Sequence, residues 1–229
     1  MSAVFYIKKE VCRMENYIEK TLNNLRKNNM EAYYAENIEE ALEKVKDLIP
    51  KGASVSVGGS VTLFKTGIID LLKSGDYDYL DRYKEGLTKD QVADLFRKVF
   101  SCDVYLSSTN AVTEEGVLYN VDGNSNRVAA ILYGPKSVII ISGKNKIVPT
   151  EADAVMRVKT TAAPLNATRL KMATPCTVSG ECMSLNKDDP EICDGCGGDN
   201  RICCNYVFTG RQRNKNRIKV ILVNEDLGY

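Results

Sequence analysis

SSTNAVTEEGVLYNVDGNSNRVAAILYG, residues 107–134, combines predicted strands with clusters of small and polar residues. A short apolar segment, 103–106, leads into it, and the segments 117–121 and 128–133 within it are predicted strands joined by the hairpin-like turn 122–124. Small and polar residues collect where these strands end, and in an open α/β sheet ligands bind at such ends. The stretch therefore predicts a polar site at a sheet edge, although ordinary turns would account equally well for its composition.

Helix and strand patterns alternate on both sides of this stretch. A helix is predicted over residues 10–29 by apolar residues at helical spacing, namely Val11, Met14, Ile18, Leu22 and Leu25. Asn37 is a predicted N-cap for the next helix, and a further helix is expected over residues 61–73. The apolar run 137–142 is typical of a strand covered on both faces, and 218–223 is a final strand that returns to the sheet. The chain is thus predicted to be α/β, a three-layer sandwich around a mostly parallel sheet.

Composition limits the kinds of function. The net charge is +1 over 229 residues, which argues against a nucleic-acid partner. The sequence has no run of roughly 18 apolar residues, so no membrane span is predicted. The N-terminal sequence lacks the features of a signal peptide, so a cytoplasmic location is expected, with a homo-oligomer left open. The chain has no histidine. Acid–base chemistry must then use Asp, Glu, Lys, Tyr or Cys, and a metal must be held by Cys or carboxylates.

Several ordered motifs together resemble the LUD domain, the lactate-utilisation protein family. They are TNAVTEEGVLYNVDG followed by NRVAAILYGP, Gly58 to Leu63, Asp81-Arg82-Tyr83, Gly143 to Val148, and the cysteine-rich tail from Pro175. The resemblance extends from about residue 10 to Leu227 and implies a single domain, 1–229, of the NagB/RpiA/CoA-transferase-like fold, with residues 175–205 as an excursion from it. It also implies a role in lactate or related organic-acid oxidation, with other lactate-utilisation proteins as partners.

Two other functions are compatible with the same resemblance. One is a transferase or isomerase-like enzyme that acts on a CoA ester or a sugar phosphate. The other is a non-catalytic subunit that binds a metabolite and a partner protein. In each case we expect a small anionic metabolite, because the related superfamily holds anionic substrates at a glycine-rich turn. The predicted substrate-binding residues are Gly58, Gly59, Ser60, Thr62, Asn110, Asn120, Asp122, Gly123, Asn126, Arg127, Lys144 and Lys146.

The catalytic carboxylate is the least defined part of this prediction. The central stretch is also similar to isomerases related to translation initiation factor 2B, which place a catalytic Asp where this chain has Asn110. An amide cannot act as a general base. Glu114 and Glu115 are then the nearest candidates for a base or nucleophile, with a solvated turn as the alternative.

Six of the eight cysteines lie between residues 176 and 204. Such crowding in a reducing compartment favours metal binding or redox chemistry over a disulfide framework. The Cys193-x-x-Cys196 turn can chelate one metal from a single loop, and an iron–sulfur cluster or zinc would both accept four cysteines. The predicted ligands are Cys176, Cys193, Cys196 and Cys203, with Cys182 as a competitor for the place of Cys193. Reduced cysteines or disulfides that staple the tail are the alternative.

Overall fold

The computed structural model describes residues 17–229, which form two sheets flanked by helices. The strands are β1 (Glu31–Ala35), β2 (Ser54–Val57), β3 (Asp78–Tyr79), β4 (Val104–Ser107), β5 (Ala111–Thr113), β6 (Leu118–Asp122), β7 (Ser137–Gly143), β8 (Ile147–Val148), β9 (Asn205–Thr209) and β10 (Ile218–Val223). The main sheet has the order β1-β10-β7-β4-β2-β3 with every neighbouring pair parallel. The final strand β10 therefore does return to the sheet, between β1 and β7.

Helices cover both faces of the main sheet. They are α1 (17–27 in the described part), α2 (Ile38–Leu48), α3 (Val61–Lys65), α4 (Ile68–Leu72), α5 (Lys89–Lys98), α6 (Asn126–Leu132), α7 (Glu151–Arg157), α8 (Ala163–Arg169) and α9 (Cys176–Ser179). A π-helical turn, Val158–Ala162, joins α7 to α8. The predicted α/β sandwich around a mostly parallel sheet is confirmed.

The central strands show why their sequences are continuously apolar. Along β7, Ile139 and Ile141 pack toward α2, α3 and α4, whereas Val138 and Ile140 pack toward α1 and α6. All four side chains are fully buried. A strand that is covered on both faces buries every residue, so period-two alternation disappears from its sequence.

The second sheet, β8-β5-β6-β9, carries the site-bearing stretch away from the main sheet. The strands β5 and β6 are antiparallel, and β6 pairs on its other side with β9, which follows the cysteine-rich segment. Ala111 and Tyr119 of this sheet pack against Ala154 and Val158. The two sheets thus meet where β4 ends and β5 begins, at residues 108–110.

The predicted end signals of two helices have different outcomes. Asn37 is the N-cap of α2, as predicted, and its Oδ1 accepts a hydrogen bond from the backbone N–H of Glu40 at 2.9 Å. The helix expected over 61–73 is instead two short helices, because Gly67 between them has φ +70°. Of the apolar stripe in the first helix, Ile18, Leu22 and Leu25 are buried, and Val11 and Met14 lie outside the described residues.

The prediction of a strand over residues 128–133 was wrong. This segment belongs to helix α6, and the turn 122–124 joins β6 to that helix instead of closing a hairpin. Val128 and Ile131, three residues apart, are buried on one face, while Tyr133 is exposed. A short apolar run does not distinguish a buried strand from a buried helix by periodicity alone, which is why the sequence misled here.

One position tests how the β5–β6 turn docks on α1. Gly116 has φ +77°, and a Cβ there would lie 2.6 Å from the backbone of Asn24 and Leu25 in α1. Gly52 has nearly the same φ, +74°, with open space around it. We expect Gly52→Ala to cost about 1 kcal/mol of unfolding free energy, from backbone strain alone. Gly116→Ala should cost roughly 3 kcal/mol or more, because α1 must also move. Urea unfolding of both variants measures the difference, and equal losses would contradict the docking.

In residues 17–229 no helix has the length and apolar character that crossing a membrane requires.

Candidate functional site

A polar cleft of about 510 Å³ opens at the carboxyl ends of β2, β4 and β7. Its other walls come from the β6–α6 loop, the end of α8 and residues after the cysteine-rich loop. The location is the one that parallel α/β sheets use for ligands, because loops from neighbouring strands diverge there. Five basic side chains and two carboxylates line the cleft: Arg82, Arg127, Lys146, Arg169 and Arg201, with Asp122 and Asp199. Its electrostatic character is therefore suited to an anion.

Arg127, on the first turn of α6, holds the wall of the cleft together. Its Nε pairs with the Asp122 carboxylate at 3.2 Å. One terminal nitrogen donates to the Ser108 carbonyl and to Asn120 Oδ1, at 3.2 and 2.6 Å. The other donates to Asn110 Oδ1 at 3.0 Å and to the Val121 carbonyl at 2.8 Å. The two terminal nitrogens thus make four hydrogen bonds within the protein and Nε makes an ion pair, so Arg127 contributes mainly charge and rigidity to the cleft.

Lys146 is the buried cation of the cleft. Only 3% of its surface is exposed, and its Nζ donates to Thr62 Oγ1 at 3.1 Å and to Ser108 Oγ at 3.0 Å. Burial, together with the positive charges of Arg157, Arg127 and Lys65, lowers the pKa of Lys146 from its ordinary 10.5 to about 7. Near neutral pH the amine is therefore easily switched between its charged and neutral forms.

Two arginines at the cleft are held in other ways. The Arg82 guanidinium lies 4.6 Å from the centre of the Phe96 ring and 5.4 Å from that of Tyr83. Arg169 donates from Nε to the Tyr229 hydroxyl at 2.7 Å and from a terminal nitrogen to Asn166 Oδ1 at 2.8 Å. Neither arginine shares a hydrogen-bonded ion pair of the kind that occupies Arg127, so both retain charge that a ligand can meet.

Most predicted substrate-binding residues line this cleft, and three do not. Those that line it are Gly59, Ser60, Thr62, Asn110, Asp122, Gly123, Asn126, Arg127 and Lys146. Asn120 is buried behind it, where its Oδ1 binds Arg127. Lys144 points elsewhere and donates to Asn224 Oδ1 at 3.3 Å. Gly58 makes room for other side chains, since a Cβ there would lie 2.9 Å from Tyr105 Oη and 3.1 Å from Arg127 Cδ.

The glycine turn differs from the expected helix-end anion site. Helix α3, which follows Ser60, has only five residues, and Ser60 makes no side-chain cap. Such a short helix offers few aligned peptide dipoles. The positive character of this wall therefore comes chiefly from Lys146 and the arginines.

Glu114 and Glu115, the catalytic candidates predicted from the sequence, lie outside the cleft. They form the β5–β6 turn, where Lys20 of α1 contacts both carboxylates, at 3.2 Å for Glu114 and 2.8 Å for Glu115. The Asn24 side chain also binds the Glu114 carbonyl. Their contacts tie the turn to the surface of α1.

Several cleft residues were missed from the sequence. Arg169, Asn166 and Tyr229 come from α8 and from residues beyond β10, and no local motif marks them. Arg82 and Arg201 stand in stretches that the resemblance had singled out, Asp81-Arg82-Tyr83 and Arg201-Ile202-Cys203, without being proposed as site residues. The tertiary fold alone brings all of these to one place.

The cysteine-rich segment forms a second, much smaller cavity of about 30 Å³ beside the cleft. Four cysteines line it: Cys176, Cys182, Cys196 and Cys203. Cys193 and Cys204 are exposed and lie outside this set. Burial, together with the nearby Cys182 and Cys176, raises the pKa of the Cys203 thiol to about 12. The placement favours Cys182 over Cys193 as the companion of the other three.

All seven cysteines in residues 17–229 are free thiols. Within the same residues, no group of three or more Cys, Asp or Glu side chains is already gathered closely enough to hold a metal ion. The four cysteines therefore share a cavity without converging on a single point.

Comparison with solved structures gives distant similarities. A DUF162 family protein from Deinococcus radiodurans is 15% identical, over 93% of this chain and 98% of that chain, with a TM-score of 0.49. Ribose 5-phosphate isomerase from Plasmodium falciparum is 19% identical, over 49% and 52%, with a TM-score of 0.31. The beta subunit of eIF2B from Chaetomium thermophilum is 16% identical, over 51% and 44%, with a TM-score of 0.34. At these TM-scores none of the similarities bears on function.

Among curated proteins none matches this chain. The sequence model of the LUD domain, in contrast, matches residues 18–223, which include both sheets, most of the cleft and the cysteine-rich segment. The chain therefore belongs to the LUD domain family.

Proposed function

We propose that the cleft binds a small organic anion, and that Lys146 is the group that neutralises its charge. The observation that carries this proposal is the buried Lys146 amine, whose hydrogen bonds go only to the hydroxyl groups of Thr62 and Ser108. The carboxylate of Asp122, on the same cleft wall, is already paired with Arg127. An incoming carboxylate or phosphate would supply the missing negative charge, and burial would strengthen that interaction.

The protonation state of Lys146 connects binding to proton uptake. In its neutral form the amine has two N–H groups, enough for Thr62 and Ser108, and a lone pair that remains free. An anion nearby favours the charged form and raises the pKa of Lys146 back toward its ordinary value. Arg157 and Arg127, which now lower that pKa, attract the same anion. Above about pH 7 a bound anion should therefore bring a proton with it.

We further propose that this anion belongs to lactate or related organic-acid oxidation, and that the protein works there with other lactate-utilisation proteins in the cytoplasm. The family supports this role, since the LUD domain takes its name from lactate utilisation. A lactate ion has one carboxylate for Lys146 and one hydroxyl for the polar side chains around Asn110 and Asn126.

The size of the cleft supports a second candidate. A volume of about 510 Å³ is in the range of sites for ligands much larger than lactate. A CoA ester or a sugar phosphate would fill more of it, and the chain would then be a transferase or isomerase-like enzyme. In that reaction Lys146 would be the proton-transfer group, because its pKa of about 7 lets the amine gain or lose a proton near neutral pH. Without turnover, the same site would serve a metabolite-binding subunit.

The first test compares two lysines of one turn. We expect Lys146→Met to weaken the binding of lactate or inorganic phosphate about tenfold or more, the usual value of one hydrogen bond to a charged group. Lys144→Met should leave binding near that of the wild type, since Lys144 contacts Asn224 outside the cleft. Isothermal titration calorimetry measures both. Equal effects of the two substitutions, or no binding of either anion by the wild-type chain, would contradict the proposal.

The second test uses the pH dependence of stability. Between about pH 7 and 10.5 the unfolded chain binds a proton at Lys146 that the folded chain does not. The unfolding free energy of the wild type should therefore rise with pH in this window, by up to about 1.4 kcal/mol per pH unit relative to Lys146→Met. Urea unfolding of both proteins from pH 7 upward, below the onset of tyrosine ionisation near pH 10, measures the difference. Parallel curves would mean that Lys146 has an ordinary pKa.

A further inference from the structure

We propose that a single divalent metal ion, with Zn²⁺ as the first choice, binds in the cysteine-rich segment through the four cysteines that line its cavity: Cys176, Cys182, Cys196 and Cys203. This site is separate from the anion cleft and does not depend on the proposed function. Four cysteine thiolates in a tetrahedral arrangement are the usual ligand set of a structural zinc.

The cavity itself selects the ligands and the size of the occupant. Cys176 lies at the start of α9, Cys182 precedes a 3₁₀ turn, and Cys196 and Cys203 come from the loop that follows. These separate parts of the chain border one space of about 30 Å³. That volume is of the order of one or two water-sized spheres, which suits one ion better than a four-iron cluster.

Arg201 shapes the loop that presents two of these cysteines. Its guanidinium donates to the carbonyls of Cys203 at 2.7 Å, Cys196 at 3.1 Å and Cys193 at 2.7 Å. One side chain thus folds the loop around itself and fixes the backbone of Cys196 and Cys203. The same arrangement leaves the Cys193 side chain exposed, away from the cavity.

The charges around the cavity match a tetrathiolate metal site. Four thiolates around a divalent ion have two negative charges in excess. Lys159 is 5% exposed, and its Nζ donates to Ser184 Oγ at 2.9 Å and to the Glu191 carbonyl at 2.7 Å. Ser184 Oγ in turn lies 3.3 Å from Cys182 Sγ.

In the described part of the chain neither Lys159 nor Arg201 has a carboxylate oxygen within 4.0 Å. The Asp194 carboxylate interacts with Lys159 only at longer range, and a buried lysine without a close counter-charge is costly. A metal thiolate centre beside Lys159 and Arg201 would place negative charge close to both cations, through the outer-shell contacts that such centres use.

Binding an ion requires the cysteine side chains to move. The four cysteines border the cavity without converging within metal-bonding distance, so the sulfur atoms must turn inward. Gly197 and Gly198, between Cys196 and Arg201, have open space around them, which leaves the loop free to adjust. Metal binding and loop folding are commonly coupled in this way.

Metal content and thiol protection test the site directly. The full chain is purified anaerobically, its metals are measured, and Zn²⁺ is titrated into metal-free protein. We expect about one zinc per chain, with four cysteines that become protected from alkylation only when zinc is bound. Mass spectrometry should locate the protection at Cys176, Cys182, Cys196 and Cys203. Co²⁺ in place of Zn²⁺ should give the absorption of tetrahedral thiolate cobalt.

Two serine variants separate the alternatives. Cys182→Ser should lose stable zinc binding, whereas Cys193→Ser, at an exposed cysteine of the same segment, should retain it. If Cys182→Ser fails to fold, the alkylation pattern of the wild-type chain with and without zinc decides the assignment.

Four outcomes would overturn the proposal. They are zinc below about a quarter of an equivalent after titration, protection of Cys193 in place of Cys182, disulfides among the four cysteines, and iron with inorganic sulfide in place of a single ion.

Discussion

The contacts of one guanidinium group determine the geometry of the cleft. Arg127 connects Ser108 at the end of β4, Asn120 and Val121 of β6, and the Asp122 carboxylate. These groups belong to two different sheets, which diverge at this point. Because a partly buried arginine must satisfy its donors, the positions of the surrounding carbonyl and amide oxygens are fixed together. The contacts of Arg127 therefore fix one wall of the cleft, and other basic side chains also line the cleft.

Two of the basic side chains in the cleft have different roles. Arg127 is held by four hydrogen bonds and an ion pair, whereas Lys146 is bonded only to hydroxyls and changes its protonation near neutral pH. Arg201 belongs to two sites, since it lines the cleft and also donates hydrogen bonds to three carbonyls of the cysteine loop. An ordered cysteine loop would thus stabilise one wall of the cleft. Organic-anion binding and metal binding are in this sense neighbouring properties of one structure.

The sequence predicted the sheet and much of the cleft, for clear physical reasons. Uninterrupted apolar runs such as Ser137–Gly143 indicate buried parallel strands, and parallel strands place their carboxyl ends, with Thr62, Asn110 and Lys146, at one edge. It failed where a short apolar run fits both helix and strand, as in α6. It also could not distinguish Lys146 from Lys144, or place Arg169, because burial and distant chain contacts decide those positions.

If Lys146 neutralises an anion in the cleft, binding of that anion must be accompanied by proton uptake. Calorimetric titration of the anion in buffers with different ionisation enthalpies gives the number of protons taken up per bound ligand. The pKa of Lys146 is about 7. At a pH about one unit higher, we expect the wild-type chain to take up nearly one proton per bound anion and Lys146→Met to take up none. Binding without proton uptake by the wild type would contradict it.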